Sequence, residues 1–206
     1  SVIMNFKKYK SIIFDCDGVI LDSNKIKTEA FRLSTRSYGE EYSEKLVSYH
    51  LLNGGVSRYE KFNYFLNSIL RIKSEEERKN ILIDLLKIYE TETTQGLLNC
   101  EVTFGLKELR SYTKGTPWFV VSGGDEKQLT YIFKEKKIYD FFDGGIYGSP
   151  DSKDNIIKRE IKSLNIKFPS LLLGDSKLDY EVSSSNKIDF VFLSKWTEFI
   201  SYESFC

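Results

Sequence analysis

The chain carries no net charge that would point to a partner: 30 Lys+Arg balance 30 Asp+Glu over 206 residues. A balanced chain sets up no field that recruits nucleic acid or an acidic membrane surface. No apolar run approaches the roughly 20 residues needed to span a bilayer. The opening SVIMNFKKYK lacks the sustained apolar segment of a signal peptide. Cysteine is scarce, and Cys16, Cys100 and Cys206 form no CxxC pair and leave an odd count. That argues against structural disulfides or a cysteine-bound zinc and for a reducing cytoplasm. No internal repeat or low-complexity segment stands out. What remains is long enough to bury a real core, as one domain or as a core with a modest insertion.

The apolar runs that are present are strand-sized. SIIF (11–14), WFVVS (118–122), SLLL (170–173) and DFVFLS (189–194) read as short buried strands, with GGIYG (144–148) a weaker one. VTFGLKELRSYT (102–113), DEKQLTYIFKEKK (125–137) and SKDNIIKREIKSL (152–164) have helical spacing. Strands alternating with helices indicate an α/β fold with a Rossmann-like parallel sheet. Between the first strand and the rest, no convincing strand appears. NKIKTEAFRLSTRSYG (24–39) is helical, and Ser57 with Glu60 and Ser74 with Glu77 read as capping boxes opening two further helices. The sequence therefore predicts an all-helical insertion at 22–96, interrupting a core made of 1–21 and 97–206.

Ligands of open parallel sheets bind beyond the carboxyl ends of the strands, and four segments place polar residues there. Asp15 and Asp17 follow SIIF, leaving the strand on one side while Cys16 turns into the core. Two carboxylates that close repel and lose hydration, so a divalent cation is the simplest compensation. Ser122–Gly123 follow WFVV, where a hydroxyl and freed amides suit an anion; Ser122 alternatively caps the helix starting near Asp125. Lys153 opens a helix, a place where a cation is disfavoured unless an anion lies nearby. Asp175 and Asp179 sit four apart after LLL.

DCDGVILDS, VVSGG, a lysine before a helix and LLLGDSKLDYE, in that order, resemble the haloacid dehalogenase (HAD) superfamily from Ile12 to about Leu193. Within it the chain is most similar to small phosphatases of the phosphoglycolate phosphatase and β-phosphoglucomutase type, and the helical insertion is similar to their cap. The resemblance implies that Asp15 is a nucleophile forming an aspartyl phosphate and that Asp17 is general acid, then base. It implies that Ser122 and Gly123 hold phosphate oxygens and that Lys153 neutralises nucleophile and phosphate. Mg²⁺ would sit on Asp15, the backbone carbonyl of Asp17 and Asp175, with Asp179 completing and orienting the metal site. The chemistry agrees: Mg²⁺ takes carboxylates, carbonyls and waters, and phosphoryl transfer needs positioning and neutralised oxygens above all.

The cap is less explicit. Arg58 and Lys61 share a helix face beside the Gly54–Gly55 turn; they either contact an anionic or hydroxyl-rich leaving group or form a solvated basic face. His50, the one histidine, reads as structural, and Asp151 and Asp154 as solvated. The helix after Asp179 carries SSSNK in place of small apolar residues and a Gly, leaving Asn186 to take the left-handed position at its end. The expected activity is a Mg²⁺-dependent phosphatase of a sugar phosphate or phosphorylated small acid, cytoplasmic, a monomer or homodimer, with no nucleic-acid or membrane partner. A phosphomutase of the β-phosphoglucomutase type, or a non-catalytic phosphometabolite-binding protein, are the alternatives.

Overall fold

The computed structural model describes residues 5–196 and Glu198. Five strands form one sheet: β1 Ser11–Phe14, β2 Trp118–Asp125, β3 Gly145–Ser149, β4 Ser170–Gly174 and β5 Asp189–Phe192. Their order is β3-β2-β1-β4-β5, and every pairing is parallel. The strand runs are short and apolar because both faces are covered. Ile12, Phe14, Trp118, Val120, Leu171 and Leu173 point into one core, whereas Ile13, Phe119, Val121 and Leu172 point into the other. This is the period-two alternation of a strand read twice over. The first core is closed by α5 (Leu106–Tyr112) and α6 (Glu126–Glu135), the second by α7 (Lys153–Lys162) and α8 (Lys177–Ser185). Each large apolar side chain buried this way contributes about 1.5–3 kcal/mol.

Between β1 and β2 the chain makes α1 (Asn24–Thr35), α2 (Glu40–Leu52), α3 (Arg58–Tyr64) and α4 (Glu75–Asn99). These helices have a core of their own, built on Phe31, Leu46, Phe62, Phe65, Leu66, Leu85 and Tyr89. Ser57 and Ser74 accept the amides of Glu60 and Glu77, as their spacing predicts. The full reciprocal box occurs elsewhere, at Ser176 and Asp179 at the start of α8. Helix α4 runs to Asn99, past the sequence-based boundary at residue 96. Asn186 does not take the left-handed position after α8: its φ is −106°, and Lys187 adopts φ +58° instead. Asn186 is held by side-chain bonds to Val182 O at 2.8 Å and Asp154 Oδ1 at 3.0 Å. Among the described residues no helix is long and apolar enough to cross a membrane. Cys206 lies outside the described residues.

The topology decides where chemistry can occur. After β1 the chain fills one flank with β2 and β3, then returns to fill the other with β4 and β5. The connections diverge above β1 and β4, which opens a crevice at that point.

Candidate active site

Asp15 follows β1 and Asp175 follows β4, so the two meet at this crevice. Both are buried, at 4% and 6% exposure. Asp15 accepts from the ammonium of Lys153 at 2.9 Å. That ammonium also reaches Asp179 Oδ1 at 2.7 Å. Lys153 is the first residue of α7, and the anions that make a lysine tolerable there are these two carboxylates. Burial alone would pull its pKa down, but Asp15 and Asp179 hold it well above the ordinary lysine value. Asp179 is anchored by its other oxygen, which accepts from Ser176 Oγ at 2.8 Å and from the amides of Asp175 and Ser176. Asp175 accepts from Asn24 Nδ2 at 2.8 Å. Gly18, at φ +80°, is required here because a Cβ would lie 2.0 Å from Asp175 Oδ2.

Asp15, Asp175 and Asp179 offer oxygens that all lie within 4.8 Å of one another. Burial, then repulsion from Asp179, raises the Asp15 carboxyl well above its ordinary range despite Lys153. The same two causes push Asp175 up to about 6. Carboxylates driven towards protonation in this way fit a hard divalent cation, which would replace the proton. The donor set therefore suits Mg²⁺. Asp179, with both oxygens already engaged, fits the orienting part of that set better than direct ligation.

Asp17 lies in the same cavity but turns towards the helical insertion. Its carboxylate accepts from Ser23 Oγ at 2.5 Å and from Lys27 Nζ at 2.7 Å. Burial would raise its pKa, but Lys27 and Ser23 outweigh that and hold it below the usual range. Cys16 points into the core, fully buried. Ser122 and Gly123 form part of an eight-residue β2 whose pairing with β3 breaks between Val121 and Asp125. Ser122 Oγ accepts the Gly124 amide at 2.9 Å, while Asp125 caps α6 through the Gln128 amide. Ser122 is thus not the cap. The loop between α2 and α3 presses onto this segment: a Cβ on Gly123 would lie 2.1 Å from Gly55 O, and one on Gly55 would lie 3.2 Å from Lys153 Nζ.

A cavity of about 460 Å³ runs from Asp15, Asp17 and Asp175 to Arg58, Lys61 and Tyr89. Ser122 and Lys153 are buried beneath its floor. Arg58 and Lys61 are 4% and 2% exposed, so they are no solvated basic face. Sequence reading missed Ser23, Asn24, Lys27 and Thr28, which bring the first turns of the insertion onto the acidic centre. A signal was present: Asn24, Lys27, Thr28 and Phe31 have the spacing of one helix face. Gln128 and Tyr89 were also missed. They carry no motif, and only the fold brings α4 and α6 to Arg58.

The haloacid dehalogenase-like hydrolase family model matches residues 12–193. A curated relative, the phosphorylated carbohydrates phosphatase of Thermotoga maritima, is 30% identical over 86 residues, which cover 38% of each chain. A predicted phosphatase from Clostridium acetobutylicum superposes with a TM-score of 0.70 at 23% identity, covering 92% of this chain and 86% of that one. A predicted phosphoglycolate phosphatase from Haemophilus somnus gives 0.67 at 17% identity, covering 92% and 87%. At these identities the structures speak for a shared fold, and the family match extends through all four polar segments. The chain belongs to the haloacid dehalogenase-like hydrolases.

Proposed function

We propose that the protein hydrolyses phosphoric monoesters of small metabolites through a phosphorylated Asp15, with residues 22–96 as the cap and 1–21 with 97–206 as the catalytic core. The observation that carries this reading is the buried cluster of Asp15, Lys153, Asp175 and Asp179, of which Asp15 and Asp175 line the cavity. Asp15 attacks phosphorus, the P–O bond to the leaving group breaks, and Asp17 supplies the proton to the departing oxygen. Water then attacks phosphorus while Asp17 takes its proton, and the P–O bond to Asp15 breaks. Splitting hydrolysis this way replaces one hard displacement with two easier ones.

Lys153 holds Asp15 in place and offsets phosphoryl charge, and the Ser122–Gly124 segment supplies donors to phosphate oxygens. Mg²⁺ held by Asp15, Asp175 and the Asp17 carbonyl, oriented by Asp179, would add charge neutralisation of the transferring group. The ammonium of Lys27, 2.7 Å away, favours the base form of Asp17. The Lys27 ammonium also lies against Gly124, where a Cβ would be 2.9 Å away. A phosphate on that segment would compete for Lys27 and free Asp17 to carry a proton. Unpaired cysteine, buried at position 16, supports a reducing compartment such as the cytoplasm.

Turnover of p-nitrophenyl phosphate before and after exhaustive chelation, with Mg²⁺ or Ca²⁺ added back, tests the reading. Mg²⁺ should restore activity and Ca²⁺ should not, because its longer bonds and larger ligand number loosen the attacking geometry. Full activity in chelator would remove the metal from the mechanism. No turnover of any phosphate ester with Mg²⁺ would leave a binding protein.

A further inference from the structure

Beyond β5 the chain leaves the sheet edge and returns to the cavity. Leu193 still donates its amide to Gly174 O at 2.8 Å, but Trp196 and Glu198 are held by the insertion. Asn24 Nδ2 donates to Trp196 O at 2.9 Å, and the Thr28 hydroxyl donates to Glu198 Oε2 at 2.7 Å. Asn24 and Thr28 are four apart on α1 and so share a face. Asn24 also donates to Asp175 Oδ2 at 2.8 Å, so this tie is made where α1 meets the acidic centre.

The chain itself crosses between core and insertion at one place. There Leu21 pairs with Val102, the Asp22 amide donates to Glu101 O at 3.0 Å and the Thr103 amide donates to Ile20 O at 2.8 Å. Two crossings side by side act as a single hinge, and a body on one hinge swings unless it is held elsewhere. Lys27 on Asp17 and Tyr59 on Asp125 are such holds. The tie through Trp196 and Glu198 is another, and it differs in the charge it carries.

Glu198 lines the cavity. The other carboxylates there are accounted for. Asp15 and Asp17 have lysines within 2.9 Å, Glu181 faces solvent with Lys177 at 3.7 Å, and Asp175 belongs to the cluster that suits a cation. Among the described residues Glu198 forms no ion pair. Its charge reaches Lys61 and favours the ammonium there, while its hydrogen-bond partner is a neutral hydroxyl. That hydroxyl is fixed in turn: donating to Glu198, it accepts the Nε2–H of His50 at 2.8 Å. Burial first, and Lys61 second, push the His50 pKa down to about 2, so the ring stays neutral and adds no countercharge. A half-buried carboxylate is thus built into the wall of a cavity whose incoming ester is negative. Like charges repel more strongly in such a site than in water.

We propose that the segment carrying Trp196 and Glu198 is an autoinhibitory strap. It ties α1 to the core and sets a negative charge in the cavity wall. The strapped protein resists anionic ligands, and release of the strap admits them. The incoming anion is taken from the phosphatase reading, but the strap's effect on phosphate binding is measurable without turnover. By reciprocity, an anion that prefers the released state also loosens the strap.

Trp196 is one of two tryptophans, and the other, Trp118, is fully buried in the core, so emission changes at the strap report on Trp196. The test titrates inorganic phosphate into the protein by calorimetry with Mg²⁺ present, and follows p-nitrophenyl phosphate turnover in parallel. Glu198→Gln removes the charge and keeps an acceptor for Thr28, whereas Glu198→Ala removes both. Glu198→Gln should bind phosphate about three- to tenfold more tightly. Glu198→Ala should gain at least as much, and should also shift Trp196 emission to the red and speed amide exchange in residues 24–28. In the unsubstituted protein, saturating phosphate should move the emission the same way. The strap is overturned if neither variant binds phosphate more tightly, or if Glu198→Ala leaves emission and exchange unchanged. If phosphate binds but p-nitrophenyl phosphate is not turned over, the phosphatase reading falls and the strap stands or falls on these affinities.

Discussion

The two ends of the cavity handle charge in opposite ways. At the floor, Asp15, Lys153 and Asp179 form a closed set in which each group has an opposite partner within 2.9 Å. At the cap end, Arg58 and Lys61 rest on an amide, an imidazole and two aromatic faces. On the proposed function, the paired charges serve a step that is the same for every phosphate ester. Unpaired charges keep their electrostatic reach for whatever enters. The difference follows from which elements meet: the floor's charges pair across α7 and α8, whereas those of the cap end rest on α1, α2, α4 and α6.

The floor is the place to break function most completely. Asp15→Asn removes the attacking oxygen and a charge from the acidic cluster, so turnover of any phosphate ester should fall by about 10⁴-fold or more. A variant that keeps substantial activity would show that Asp15 is not the nucleophile. Asp17→Asn should cost less, about 10²–10⁴-fold, because proton transfer and the pair with Lys27 are lost while the nucleophile Asp15 remains. The loss should be larger for an alkyl than for an aryl phosphate, whose leaving oxygen needs little help. With a good leaving group, intact mass should reveal trapped phosphoryl on Asp15. Equal losses on both esters and no adduct would make Asp17 structural.

The seam between the two ends comes next. Gly123→Ala would drive a methyl into Gly55 O, 2.1 Å from the Cβ position. The α2–α3 loop must lift, spoiling the alignment of cap and floor, and kcat/KM should drop about tenfold to a hundredfold. Unchanged kinetics would mean that the loop contact is incidental.

The smallest effect is one of stability and has the opposite sign. Lys61 holds its proton less tightly when folded, at about 7, than at the ordinary 10.5. The unfolded chain therefore binds more protons between those values, and stability falls as pH drops across that window. Lys61→Met removes the penalty, keeps the apolar stem and should raise the unfolding free energy at pH 7 by about 4 kcal/mol at most, and the Tm with it. The gain should shrink as pH rises towards 10. A lowered Tm would mean that Lys61 stabilises the fold.

The floor was legible because its residues follow strands: a buried strand ends, and the next polar residues must lie at the sheet's carboxyl edge. Asp15 and Asp175 were placed by that rule; Lys153 was read from its place at a helix start, and Ser122–Gly123, expected just after the strand, lie within β2. The direction of the Asp17 carboxylate was not legible, since it depends on Lys27 and Ser23 after the chain has turned into α1. Arg58 and Lys61 were visible as residues on one face, but whether that face met water or a cavity depended on α4 and α6. His50 read as structural, and its hydrogen bonds to Thr28 and Lys61 explain what that structure holds.

What the sequence determined by itself was local: strand-length apolar runs, capped helices, and carboxylates at strand ends, each governed by near neighbours along the chain. The tertiary structure decided which charges are paired. Lys153 finds Asp179 across 26 positions, and Arg58 finds Gln128 across 70. Long-range pairing of this kind follows from how helices pack over the sheet. Coulombic energy depends on distance and burial in space, and neither can be read from order along the chain.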